Sequence, residues 1–97
     1  MTIFVDIDET ICTKTYGDYS EAQPIKKNIG KINKLFDEGH AITYYTSRGA
    51  TTGKNWESLT YAQLKKWKVK YHKVLFNKPF YDIFIDDKAY RIEEIEL

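Results

Sequence analysis

The sequence predicts one α/β domain, residues 1–97, built on a mainly parallel sheet. Three observations predict it. The N-terminal run TIFVDI is β-branched and aromatic without clean alternation, as in a strand buried on both faces. Two helical stripes then alternate with further short apolar runs, the order expected of parallel strands joined by helices. Ninety-seven residues, finally, hold one core and leave no room for a second.

The first strand is read at Thr2 to Ile7, and residues 10 to 23 as a polar, irregular loop. Pro24 suits the first position of a helix. Ile25, Ile29, Ile32 and Leu35/Phe36 then recur on one face, with Lys26, Lys27, Lys31 and Lys34 mostly off it. Gly39 is placed to end this helix. Gly30 in its interior costs about 1 kcal/mol relative to Ala, and nothing in the sequence explains it. A second strand, Ala41 to Tyr45, runs into Thr46-Ser47-Arg48-Gly49, and Thr51 to Asn55 form another loop. Asn55 can cap a helix over residues 56 to 68, with Tyr61, Leu64 and Trp67 on a shared face. Tyr71 to Phe76 and Tyr81 to Ile85 read as two further strands, the last ending in Asp86-Asp87. Only Asn77 to Phe80 separate these two, whereas a parallel crossover takes a dozen residues or more. The closing YRIEEIEL is ambiguous.

Composition narrows the function. Fifteen basic and 14 acidic residues give a net charge of +1, too small a field to suggest nucleic acid or an anionic membrane as partner. The apolar share of 42% is that of an ordinary globule rather than a disordered chain. No apolar run spans a bilayer, and the first residues lack the pattern of a signal peptide. Cys12 is alone, so neither a disulfide within the chain nor a cysteine metal cluster is expected. The expected location is the cytoplasm.

The polar residues fall where a parallel sheet gathers ligands, at the C-terminal ends of its strands. The first strand delivers Asp6 and Asp8, the second Thr46 and Ser47, the last Asp86 and Asp87, with Lys78 in the turn before it. Four carboxylates at one edge repel one another unless a cation joins them. Oxygen donors without His or Cys point to Mg²⁺, held by Asp6, Asp8, Asp86 and Asp87. A metal, a lysine and hydroxyls describe a phosphoryl-transfer site, with Thr46, Ser47 and Lys78 binding phosphate. Asp6 can act as a nucleophile and form an aspartyl-phosphate. Asp8, two residues on, can serve as general acid and then general base.

DIDET after a buried strand, TSR after the second, a lysine and a final DD resemble the haloacid dehalogenase (HAD) superfamily of phosphatases. The resemblance runs from Ile3 to about Ala89, with its four motifs in order. It implies a Rossmann-like three-layer sandwich. By position, Asp6 matches the nucleophile and a metal ligand, and Asp8 the acid/base with its main-chain carbonyl on the metal. Thr46 matches the phosphate-binding hydroxyl and Asp86 the remaining metal carboxylate, with Asp87 beside it. Lys78 matches the phosphate-binding lysine, and Lys73 is the alternative. The family's first motif often has Gly where this chain has Glu9. No stretch is long enough for the cap domain of larger members, so an open, capless site is expected, or a lid borrowed from a neighbouring subunit. The implied substrate is a small-molecule phosphate ester, a sugar phosphate or related metabolite.

Two rivals stand beside this reading. A nucleotidase or polynucleotide end phosphatase would call for a basic, aromatic stripe near the site. A receiver-like signalling domain shares acid pairs, a hydroxyl and a Lys-Pro step like KPF at 78–80, but its acid pair ends the first strand and its lysine comes late. The remaining conspicuous residues read more blandly. Arg48 and Lys54 read equally as substrate contacts or as solvated loop cations. His40 and His72, at strand starts, read as structural, and Trp56 and Trp67 as packing. Tyr16 and Tyr19 could rim the site.

Overall fold

The structure, a computed structural model, describes residues 1–50 and 53–96. Three strands form one parallel sheet in the order β1 (Thr2–Val5), β2 (Ala41–Tyr45), β3 (Lys73–Leu75). Helix α1 (Lys26–Asp37) joins β1 to β2, and α2 (Glu57–Lys66) joins β2 to β3. Short 3-10 turns lie at Tyr19–Glu21 and Ile92–Glu94. The expected loop at Thr51–Asn55 is described from Gly53 onward, and Thr51 and Thr52 lie outside the described residues.

Register sorts the sheet into two unequal faces. Ile3 pairs with Ile42, and Val5 with Tyr44, so these side chains share one face. There they join Ile29 and Ile32 of α1 and Leu64 of α2 in the core, with Ile7, Ile42, Tyr44 and Leu64 fully buried. The helices lie side by side over a groove of about 760 Å³ lined by Ile29, Gly30, Asn33, Leu59 and Trp67. Phe4 and Thr43 share the other face, where Phe4 is 56% exposed and packs edge-on with Tyr45.

Helix α1 begins later than its proline suggests. Pro24 stands outside it, in an antiparallel bridge to Cys12. Thr13 N–H donates to the Gln23 carbonyl and Ile25 N–H to the Ile11 carbonyl, at 2.9 and 2.8 Å. These bonds hold residues 23–25 extended against the loop after β1, and the local preference of proline yields to them. The other end follows its signal. Gly39 takes φ 97°, Gly39 N–H donates to the Phe36 carbonyl and His40 N–H to the Leu35 carbonyl. This is a Schellman motif, and its left-handed residue is the one that favours glycine. Helix α2 closes in the same way with Lys68 at φ 59°. Its start uses Asn55, whose side-chain oxygen accepts the Glu57 N–H at 2.9 Å.

Both histidines pack at the N-terminal edge of the sheet. His72 Nδ1 accepts the Ile42 N–H, and its ring stacks on Phe36. His40 meets the chain's N-terminal amine.

The C-terminal third departs from expectation. Strand β3 is shorter than Tyr71 to Phe76, and Tyr81 to Ile85 form no strand. Residues 79–91 are exposed throughout, with Ile83 at 79% and Ile85 at 93%. The chain then returns to α1, where Ile92 packs on the core and its carbonyl accepts from Lys31 Nζ at 3.1 Å. Four connecting residues are fewer than an ordinary parallel crossover takes, and YDIFI has the composition of a strand without a partner in the sheet.

Candidate functional site

The site lies at the C-terminal edge of the sheet, where β1 and β2 end side by side. Past Val5, only Ile7 continues the buried alternation, and it is fully buried between Asp6 and Asp8. The chain turns at once: Thr10 and Ile11 N–H both donate to the Ile7 carbonyl, and Glu9 N–H donates to the Cys12 carbonyl. Glu9 sits at φ 65°, a left-handed conformation that glycine adopts without strain. The turn leaves both acids at the rim.

Asp6 and Lys78 face each other across it. Lys78 Nζ stands 3.5 Å from Asp6 Oδ1, which also accepts the Ile7 N–H at 2.9 Å. Asp6 is 41% exposed at its side chain, yet desolvation pushes its carboxyl above the usual carboxylate range. Lys78 and the Ile7 amide oppose this rise, while the charge of Asp8 adds to it. The lysine is positioned by its own backbone, since Lys78 N–H donates to the Thr46 carbonyl at 3.2 Å. Lys73 lies exposed on β3, so of the two candidate lysines it is Lys78 that meets Asp6. Thr46 is buried, and its hydroxyl accepts the Arg48 N–H at 3.1 Å. Ser47 follows, half-buried, with its carbonyl accepting from Ala50.

Arg48 is the residue whose weight the sequence hides. Only 3% exposed, it is not a solvated cation. Nε and Nη2 donate to the two oxygens of Asp8 at 2.9 and 2.8 Å, a bidentate pair. Nη1 donates to Thr60 Oγ1 at 3.0 Å and to Gln63 Oε1 at 2.6 Å. Gln63 in turn donates to the Tyr19 carbonyl, and the guanidinium lies 4.7 Å from the centre of the Tyr19 ring. Tyr19 therefore belongs to the wall of the site, braced by Trp56, while Tyr16 is 93% exposed. The clue in the sequence was on α2. Thr60 and Gln63, three apart and flanking buried Leu64, put two polar groups on a core-facing side, and such groups need a buried partner.

The same network constrains Asp8 and Cys12. While both oxygens of Asp8 accept from Arg48, neither can deliver a proton, so an acid/base role requires one of these bonds to open. Cys12 lies against Asp8 Oδ1 and the Arg48 guanidinium, 3.5 and 3.8 Å from its sulfur. Burial and the neighbouring carboxylate push its thiol up to about 12, which keeps it protonated and a poor nucleophile at neutral pH.

Among the described residues, Asp86 and Asp87 do not gather with Asp6 and Asp8. They are exposed, and a hydrogen bond from Asp87 holds Asp86 below the usual carboxylate range. Among the described residues, no three His, Cys, Asp or Glu side chains gather as a metal would need. The kind of donor fits a hard cation, since the edge offers carboxylates and both histidines stand at the opposite one. Beside Arg48 opens a cavity of about 290 Å³, lined by Gly49, Lys54, Asn55, Trp56 and Phe76. Lys54 Nζ lies 4.3 Å from the centre of the Trp56 ring. Gly49, at φ 83°, has no room for a Cβ, which would strike the Lys54 carbonyl.

The fold has a solved counterpart. A crystal structure of an MCSG target from Vibrio cholerae is similar over 97% of this chain and 85% of its own, with a TM-score of 0.86 at 24% identity. No family model and no curated protein matches the chain. Among the described residues, no helix is long and apolar enough to cross a membrane.

Proposed function

We propose that this protein is a phosphatase of the HAD type that hydrolyses a phosphate monoester through an aspartyl-phosphate on Asp6. The observation that carries the reading is the Asp6–Lys78 pair at 3.5 Å, at the mouth of a parallel sheet and next to Thr46. A desolvated carboxylate is a stronger nucleophile than a solvated one, and the ammonium beside it attracts the anion that it must attack. Glu9 in a left-handed turn supports the reading as well, because the family often has glycine there.

In this mechanism an Asp6 oxygen attacks phosphorus and the ester P–O bond breaks. Lys78 offsets charge on the phosphoryl oxygens. The departing alkoxide takes a proton from Asp8 once one of its bonds to Arg48 has opened. Water then attacks the acyl phosphate with Asp8 accepting its proton, which releases phosphate and restores Asp6. Thr46 and Ser47 supply hydroxyls to the phosphate. Mg²⁺, when held by Asp6, the Asp8 carbonyl and Asp86 with Asp87 beside it, would neutralise phosphate charge.

The reading includes a cytoplasmic location, a three-layer architecture and a capless, open site. The cavity beside Arg48, with an aromatic ring and a lysine at its rim, suits a sugar phosphate or a related small metabolite. The test is phosphate release from a panel of sugar phosphates, nucleotides and simple alkyl phosphates, with Mg²⁺ and with excess chelator. Metal-dependent turnover that vanishes in Asp6→Asn is expected, with the variant as stable as the parent or slightly more so. Near-native turnover in Asp6→Asn sinks the covalent mechanism.

A further inference from the structure

We propose that the groove between α1 and α2 is a binding site for a small anion with an apolar body, and that its occupant bears on the Arg48–Asp8 pair through Gln63. Neither part depends on which ester, if any, the protein hydrolyses.

At about 760 Å³ the groove has the capacity of a small-molecule site. Its walls are apolar, with Ile29 from α1, Leu59, Ala62 and Trp67 from α2, and Pro24 from the segment entering α1. Its rim is cationic. Lys26, Lys66 and Lys68 line it, and among the described residues none of the three is in an ion pair. No Asp or Glu lines it beside them. Uncompensated cations around an apolar slot favour an occupant that brings negative charge to the rim and apolar surface to the walls.

Gly30 keeps the slot open. It stands inside α1 without a left-handed φ, and a Cβ built there meets nothing within 4 Å. Neither conformation nor packing accounts for a residue that weakens a helix, whereas a slot that has to stay open does. One end of the groove is tied by Asn33, whose amide donates to the Lys68 carbonyl at 2.9 Å and accepts the Lys70 N–H at 2.8 Å. The opening is therefore built into the fold.

Gln63 links this groove to the opposite side of α2. It is 8% exposed and lines the groove, yet its amide is committed elsewhere. Oε1 accepts from Arg48 Nη1 at 2.6 Å, and Nε2 donates to the Tyr19 carbonyl at 2.7 Å. Arg48 in turn holds both oxygens of Asp8. An occupant lying against Gln63 excludes the water that competes for these bonds, so the guanidinium is held more firmly on Asp8. Ser20 and Ala22 line the same groove, so the loop that carries Tyr19 meets the occupant as well.

Naphthoate is the probe and neutral naphthamide its control, each titrated into isotope-labelled protein at low ionic strength and followed by amide resonances. Naphthoate should shift the Ile29, Gly30, Ala62 and Lys66 amides to saturation, and the Arg48 Nε–H resonance should move along the same curve. Naphthamide should bind about tenfold more weakly, since each nearby cation contributes a few-fold. Lys66→Gln with Lys68→Gln should weaken naphthoate by a similar factor and leave naphthamide unchanged. Gly30→Leu, a good helix former that fills the slot, should abolish binding of both while the rest of the spectrum keeps its dispersion. Equal affinity for the two probes, shifts that fall outside the groove, or undiminished binding in Gly30→Leu overturns the site. Shifts of the same amides on raising protein concentration alone would make a second copy the occupant, and overturn it too. A groove that fills while Arg48 Nε–H stays unmoved overturns the link to Asp8.

Discussion

Arg48 organises more of this site than any other side chain, because one guanidinium joins Asp8, Thr60 and Gln63. Lysine at this position keeps the charge but loses the planar fork. Arg48→Lys is therefore expected to cost roughly 3 kcal/mol, the lower end of the range for breaking a buried pair, since Asp8 retains some contact with water. Urea unfolding reads it as a lower midpoint at an unchanged slope, and a loss below about 1 kcal/mol would show that the network does not hold the edge together. At this scale the sequence is legible where chemistry is carried by order along the chain. Asp6 and Lys78 could be placed at one edge of the sheet before any geometry was known. Arg48 could not, because a cation in a Gly-containing loop looks solvated until burial is known. Its partners Thr60 and Gln63 lie on a separate helix.

Helices were easier to read than their ends. The stripe of Ile29, Ile32, Leu35 and Phe36 located α1, since a face repeating every 3.6 residues has to be buried somewhere. The start was misplaced at Pro24 because backbone bonds to the loop after β1 compete for those residues, and propensity does not see them. Gly30 can now be judged. A Cβ built there meets nothing within 4 Å, and the residue has no positive φ, so nothing in the packing of α1 calls for glycine. Gly30→Ala should then stabilise the protein by about 0.8–1 kcal/mol, the difference in helix propensity. Thermal unfolding would show it as a rise in midpoint of several degrees for a chain of this size. A drop would mean that the groove between α1 and α2, which Gly30 lines, needs that space.

The fourth strand is where local and global information part. YDIFI has strand composition, yet in the structure it forms no strand and stays exposed, after a connector, Asn77 to Phe80, shorter than an ordinary parallel crossover. Sequence patterns report what a segment could bury, not whose edge it can reach.

The covalent phosphate is the most direct test of the whole account. Enzyme mixed rapidly with a phosphate ester labelled in its phosphate, then quenched in acid within the first turnover, should carry label on the protein. The label should be removed by hydroxylamine, as an acyl phosphate is, should map to the peptide containing Asp6, and should be absent from Asp6→Asn. Steady release of phosphate with no labelled protein at any quench time, or with label on another residue, would contradict it.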